Sequence, residues 1–214
     1  MSKFTGLKLA LTLTALFLLN VSIAKADTIQ IVGNATGSLA TATVVCSFNS
    51  QTNTFTFTIT NTSAFDARIT GIGFDLPPAG NASGSGLNGF SGANVAGFSF
   101  GDGDLGNVPQ FNSAALDFGW TTGSSTNFSG GSPNDGIAPG NSLTFTVTGP
   151  FAGFNETQIC NSILVRFQRV GANGEGSDVG TPGTPVPEPT SMLLLGTGLF
   201  GVMGVVRRKL QTRN

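Results

Sequence analysis

Two stretches of this chain alternate, residue by residue, between a hydroxyl and an apolar side chain. Residues 52–63, TNTFTFTITNTS, put Phe55, Phe57 and Ile59 on one face and Thr54, Thr56, Thr58 and Thr60 on the other. Residues 142–149, SLTFTVTG, repeat the pattern with Leu143, Phe145 and Val147. A period of two marks a half-buried β-strand, because successive side chains leave opposite faces of the pleat. Threonine suits the solvent face of such a strand through its β-branch.

Further β-rich runs follow the same logic. They lie at residues 41–48 (TATVVCSF), 67–76 (ARITGIGFDL) and 161–170 (NSILVRFQRV). In the second, Ile72 and Phe74 share a face, Ile69 is out of phase, and the intervening glycines predict a bulge or bend. Weaker strands fit at 28–32, 95–100, 114–118 and around Asp178. No stretch between them sustains a helical period with caps, and Gly, Asn, Ser and Pro punctuate at roughly 8–12-residue intervals. Fifteen of the eighteen phenylalanines lie between residues 27 and 186 and, with Trp120, supply a core. The expected fold is all-β: a single β-sandwich over residues 27–180, jelly-roll-like or immunoglobulin-like, with long loops at 77–94 and 121–141.

Composition narrows the chemistry. Between residues 27 and 186 three arginines, Arg68, Arg166 and Arg169, face ten acids; the net charge there is −7, and no lysine occurs. Phosphate binding needs a basic surface, so no nucleic-acid partner is expected. The chain has no histidine, which rules out a Ser–His–Asp triad and the usual Cys/His zinc sites. No catalytic residue, metal or cofactor is assigned. The weak calcium candidates are Asp102 and Asp104 in GDGDLGN, a run that lacks a closing bidentate glutamate and reads more simply as a solvated turn. The threonine faces raise the idea of an array that binds ice or polysaccharide, against the plainer account of a solvated strand face. GTGLFG at 196–201 has no preceding strand, so it is not a dinucleotide site. Asn34, Asn61, Asn81 and Asn155 begin glycosylation sequons, which matter only in a source that uses them.

Both ends look like addresses. Residues 1–26 read as a secretory signal: Lys3 and Lys8, an apolar run, then Ala24 and Ala26 at the positions signal peptidase requires. Export delivers Cys46 and Cys160 to an oxidising compartment, so they are expected to form a disulfide closing a loop of about 115 residues. Residues 181–189 form a proline-rich linker, 190–206 an apolar transmembrane segment and 207–214 a basic cytoplasmic tail. Sixteen residues, 191–206, carry no charge. As a helix they span about 24 Å, short of a ~30 Å hydrocarbon core. Arg207, Arg208 and Lys209 follow at once, a stop-transfer cluster that belongs on the cytoplasmic side.

The ordered set of Val186-Pro187-Glu188-Pro189, a glycine-rich apolar span and a basic cluster resembles the PEP-CTERM sorting signal. The match covers residues 186–209, about a tenth of the chain. The resemblance implies a protein exported by an exopolysaccharide-producing Gram-negative bacterium and held in the inner membrane by its tail. An exosortase then processes it near Pro187, Glu188 and Pro189, and it ends at the cell surface or outside the cell. Signal peptidase, the exosortase, the membrane and exopolysaccharide are the implied partners. This tail type is also named an ice-binding-protein C-terminal domain, a label that says little about ice. The expected role is a non-enzymatic surface or extracellular-matrix protein; the alternative is a module binding carbohydrate, calcium or ice.

Overall fold

The structure, a computed structural model, describes residues 26–33, 39–76, 89–103, 105, 108, 116–123, 128 and 131–183. Residues 1–25 of the signal segment, with Ala24, and Asp104, the Pro187-Glu188-Pro189 motif, the apolar span and Arg207, Arg208 and Lys209 lie outside the described residues, whereas Ala26, the expected last residue of the signal, is described as the first residue of a strand.

Alternation becomes strands where it was expected. The described residues hold ten: β1 (Ala26–Gly33), β2 (Thr41–Asn49), β3 (Thr54–Asn61), β4 (Arg68–Phe74), β5 (Ser91–Gly92), β6 (Phe98–Asp102), β7 (Phe118–Thr122), β8 (Ser142–Thr148), β9 (Leu164–Val170) and β10 (Gly176–Pro182). β2 and β3 join through a tight turn. There Asn49 Oδ1 accepts from the N–H groups of Gln51 and Thr52 at 2.9 and 3.3 Å, and Asn53 takes the left-handed conformation, φ +49°. Asparagine tolerates that region better than other non-glycine residues.

The expected two-sheet sandwich is corrected to one sheet. Its order is β5-β8-β3-β2-β1-β10-β9-β4-β7-β6, and every pair is antiparallel. The halves join where Ile31, Val32 and Gly33 of β1 face Pro182, Thr181 and Gly180 of β10. This short seam is what turns two layers into one nearly closed barrel. At the opposite margin Gly92 of β5 lies against the Phe100 ring of β6, and Trp120 Nε1 donates to the Ala93 carbonyl at 2.9 Å.

The two halves still bury a common core. Phe57 of β3 meets Phe74 of β4 with ring centroids 4.9 Å apart, and Phe145 of β8 meets Trp120 of β7 at 5.2 Å. All four side chains are buried. Tilted ring contacts of this kind add to the burial of apolar area itself.

Three local expectations change. First, β10 extends through Pro182, so the strand takes in residues 181 and 182 that were assigned to the linker. Second, β7 begins at Phe118, where the strand expected at 114–118 was to end. Third, a six-residue helix, α1 (Glu156–Asn161), follows β8. Asn155 caps it, its Oδ1 accepting from Gln158 N at 3.2 Å. Cys160 sits on this helix, so the disulfide ties β2 to α1; it does not bridge two sheets. Its Cα atoms are 5.9 Å apart. Glu156 Oε1 adds a second clamp by accepting from Phe48 N at 3.0 Å.

β4 explains its own mixed phase. A bulge falls between Ile69 and Gly71, as its glycines suggested. Beyond it the strand is buried on both faces. Ile72 and Phe74 face the barrel core. Leu105, Val108, Leu116, Phe128, Val179 and Leu164 form a second small core on the other side. Glycine is required for that cover to sit close: a Cβ on Gly119 would lie 2.5 Å from the Ile72 carbonyl oxygen and 2.6 Å from Leu105 Cδ1.

Candidate functional site

The structure brings the two threonine runs together. β3 pairs with β8 so that Thr54, Thr56, Thr58 and Thr60 stand opposite Thr148, Thr146, Thr144 and Ser142. Their hydroxyls touch at 2.9 Å (Thr54–Thr148), 3.0 Å (Thr58–Thr144) and 2.7 Å (Thr60–Ser142). β2 and β1 continue the same outward face through Thr43, Val45 and Ser47, then Thr28 and Gln30. None of these side chains is charged. They repeat about every 6.8 Å along a strand and 4.8 Å between strands. The second core covers the outer face of the β4 region, whereas no described residue forms a comparable apolar cover over this hydroxyl face.

A pair of acids, not singled out from the sequence, ends the β4–β7 ladder. Phe74 faces Phe118 in register, and Asp75 and Asp117 are the next residues on each strand. Asp117 is almost fully buried and its Oδ2 accepts from Leu76 N at 2.7 Å. The Ser162 hydroxyl bridges the backbone of Asp75, accepting from its N–H and donating to its carbonyl, both at 3.0 Å. Burial raises both carboxyls, and the Asp117 charge raises Asp75 further, to about 6. A signal for this pair does exist: Gly73-Phe74-Asp75-Leu76 reads backwards as Leu116-Asp117-Phe118-Gly119. Antiparallel pairing lays the mirrored tetrapeptides side by side.

The remaining expected sites are scattered. Asp102 is exposed at the end of β6, while its partner Asp104 lies outside the described residues. Among the described residues no three Asp, Glu, His or Cys side chains gather closely enough to hold a metal ion. Arg68 and Arg169 both pair with Asp66, at 2.7 and 3.3 Å, and Arg68 borders a shallow cleft with Asp135 and Ser142. Arg166 is buried, and its Nη1 donates to the Phe128 carbonyl at 3.2 Å. Of the sequon asparagines, Asn61 is fully buried: its Nδ2 donates to the Ala67 and Ile137 carbonyls, both at 2.8 Å. Asn155 is exposed and caps α1.

β10 delivers the chain to its C-terminal segment at the seam. Gly183 N donates to the Gln30 carbonyl at 2.7 Å, the last such bond among the described residues. Then come Thr184, Pro185, Val186, Pro187, Glu188 and Pro189, and a family model matches from here. The chain carries a PEP-CTERM protein-sorting motif at residues 185–209.

That motif implies an exported protein processed at the membrane by an exosortase. The PEP-CTERM segment contains Pro187, Glu188 and Pro189 together with Arg207, Arg208 and Lys209, as the sequence suggested. Among the described residues no helix is long and apolar enough to cross a membrane. No curated protein and no solved structure matches the chain. The PEP-CTERM motif begins two residues after Gly183, so the sorting segment abuts the folded sheet.

Proposed function

We propose that this chain is a non-enzymatic protein of the cell surface or extracellular matrix of a Gram-negative bacterium. Its signal peptide exports it, its apolar tail parks it in the inner membrane, and an exosortase processes it near Pro187, Glu188 and Pro189. The barrel then serves in or on exopolysaccharide. The PEP-CTERM match carries this reading. A disulfide between Cys46 and Cys160 agrees with an oxidising destination. Mass spectrometry of the mature C-terminus, in cells with and without the exosortase, tests it. Loss of the tail only when the enzyme is present is expected; an intact chain ending at Asn214 in both would overturn it.

The hydroxyl face of β8, β3, β2 and β1 favours a second reading, a module that binds neutral carbohydrate. A surface without charge, on a domain of net charge −7, suits a neutral polyhydroxylated partner better than a polyanion. Retention on neutral polysaccharide gels, lost on Thr58→Lys and Thr144→Lys, would support it. Silence there, with thermal hysteresis appearing instead, would favour ice. The calcium version through Asp102 and Asp104 needs a rise in melting temperature at millimolar calcium, and none is expected. The enzyme version would rest on Asp75 and Asp117, and the burial of Asp117 under Leu76 speaks against substrate access.

A further inference from the structure

We propose that the cleft at the start of β8 holds one sugar of an extended neutral polysaccharide, whose next residues lie across the strands over Thr60, Thr43 and Gln30. This deepens the carbohydrate reading of the hydroxyl face and rests on it.

Register ties the cleft to the face. β8, β3, β2 and β1 place Ser142, Thr60, Thr43 and Gln30 opposite one another in a single row across the sheet. Ser142 is exposed, and Thr60, Thr43 and Gln30 are partly so. Within the row Ser142 Oγ and Thr60 Oγ1 are 2.7 Å apart, and Gln30 Nε2 donates to Thr43 Oγ1 at 3.3 Å. This pairing orders the side chains before a ligand arrives, so less freedom is lost on binding. Neighbouring strands lie about 4.8 Å apart, and the row is about 14 Å long. The strand spacing is close to the advance of one sugar in an extended β-linked chain, so each residue of such a chain meets a new strand. A coiled α-linked chain does not keep step.

Ser142 ends the row and also lines the cleft. The cleft, about 380 Å³, falls in the size range of small-ligand sites. Arg68, Asp135 and Asn141 give it polar groups, and Ile137 and Leu143 give it apolar surface. Asp135 and Asn141 are exposed. The Asp135 carboxylate and the Asn141 amide form no hydrogen bond with the described residues, so both are available to a ligand. A carboxylate accepts from two hydroxyls, and an amide both donates and accepts; together they match neighbouring hydroxyls on one sugar ring. Charge favours a neutral ring. Arg68 commits Nε and Nη2 to Asp66, at 2.8 and 2.7 Å, and Asp66 also pairs with Arg169. With Asp135, these are two positive and two negative side chains, which cancel. The backbone adds a further sign. Ala96, also on the cleft, has φ +43° in a two-residue turn closed by Val95 and Phe98, which exchange backbone bonds of 3.0 and 2.8 Å. Such turns prefer Asn or Gly at that place, and strain of this kind collects at ligand sites.

Titration of the full-length chain with cello-oligosaccharides of one to six residues tests this, with malto-oligosaccharides as the coiled counterpart. Binding should strengthen from one sugar to four, the length of the row, and then level off. Asp135→Ala and Asn141→Ala should each bind the tetrasaccharide about tenfold more weakly, the effect of one hydrogen bond to the ligand. Both should melt as wild type, because neither side chain is bonded within the fold. Glu175→Ala removes the same charge as Asp135→Ala from the exposed β9–β10 turn and should bind as wild type. Wild-type affinity in both cleft variants would overturn the proposal. So would an equal loss in Glu175→Ala, equal affinity for one sugar and four, or equal binding of the malto-oligosaccharides. If the wild-type chain is retained on neutral polysaccharide gels and the cleft variants change nothing, this proposal alone falls. If the wild-type chain is not retained there, the carbohydrate reading falls with it.

Discussion

Asp75 and Asp117 stand side by side at the end of the β4–β7 ladder, one half-buried and one buried carboxyl whose neutral forms the fold favours. Burial is the larger cause for Asp75 and the Asp117 charge the second, and together they lift it from 3.8 to about 6. A raised folded-state value means that the folded chain holds its proton where the unfolded chain has released it. Stability therefore falls as pH rises between about 4 and 6, and the penalty is complete above that window. Asp75→Asn should flatten this slope and raise stability near pH 7 by on the order of 1 kcal/mol, after discounting for the part of the carboxyl that meets solvent. Thermal melts from pH 4 to 8 check it. An unchanged slope in the variant would sink the assignment.

The disulfide spans 114 residues of sequence. Chain entropy alone makes a cross-link of that span worth roughly 4–5 kcal/mol, at the upper end for a single bridge. The double variant Cys46→Ala with Cys160→Ala should unfold at markedly lower denaturant, and reduced wild type should follow it. Guanidinium titrations with and without reductant measure this.

Asn61 ties three segments with one side chain. Besides the Ala67 and Ile137 carbonyls, its Oδ1 accepts from Ser63 N at 3.1 Å. Asn61→Ala takes this partner from the Ala67 carbonyl and the Ser63 N–H, while the Ile137 carbonyl keeps its bond from Ile69 N at 3.2 Å; the cost is roughly 1–3 kcal/mol. The same burial predicts that the folded protein carries no glycan at Asn61, even from a host that modifies sequons. Intact mass and a denaturation midpoint test both statements.

Gly119→Ala meets backbone, not the end of a flexible side chain. Its Cβ would press on the Ile72 carbonyl oxygen, and strands packed on both faces have little room to yield. A loss of roughly 1–3 kcal/mol is expected. A control at Gly140, where nothing lies within 4 Å but φ is +80°, should lose about 1 kcal/mol through backbone strain alone.

Legibility followed sequence distance. β3 and β8 were plain because alternation is local, and their inward Phe55, Phe57, Ile59, Phe145 and Val147 are all buried. β4 resisted a one-face reading because a second core covers its outer side, a fact set by Leu116 and Phe128 far along the chain. The expectation of loop at 121–141 missed Phe128 for the same reason. α1 is too short to show a period. The seam between β1 and β10 joins residues about 150 positions apart through three pairs, so no local pattern separates one sheet from two. The sorting motif was readable because it is a linear signal carried by consecutive residues; the neutral hydroxyl face needed the pairing of β3 with β8 to become a surface at all.

The seam also links the fold to the address. β10, the strand that joins the two halves of the sheet, is the last of the described strands in chain order. Without it β1 has only β2 as a partner among the described strands. The sorting motif follows at residues 185–209. The strand that closes the seam and the sorting motif are thus neighbours in the chain, and a truncation that reaches into β10 would remove the address and the joint between the two halves together.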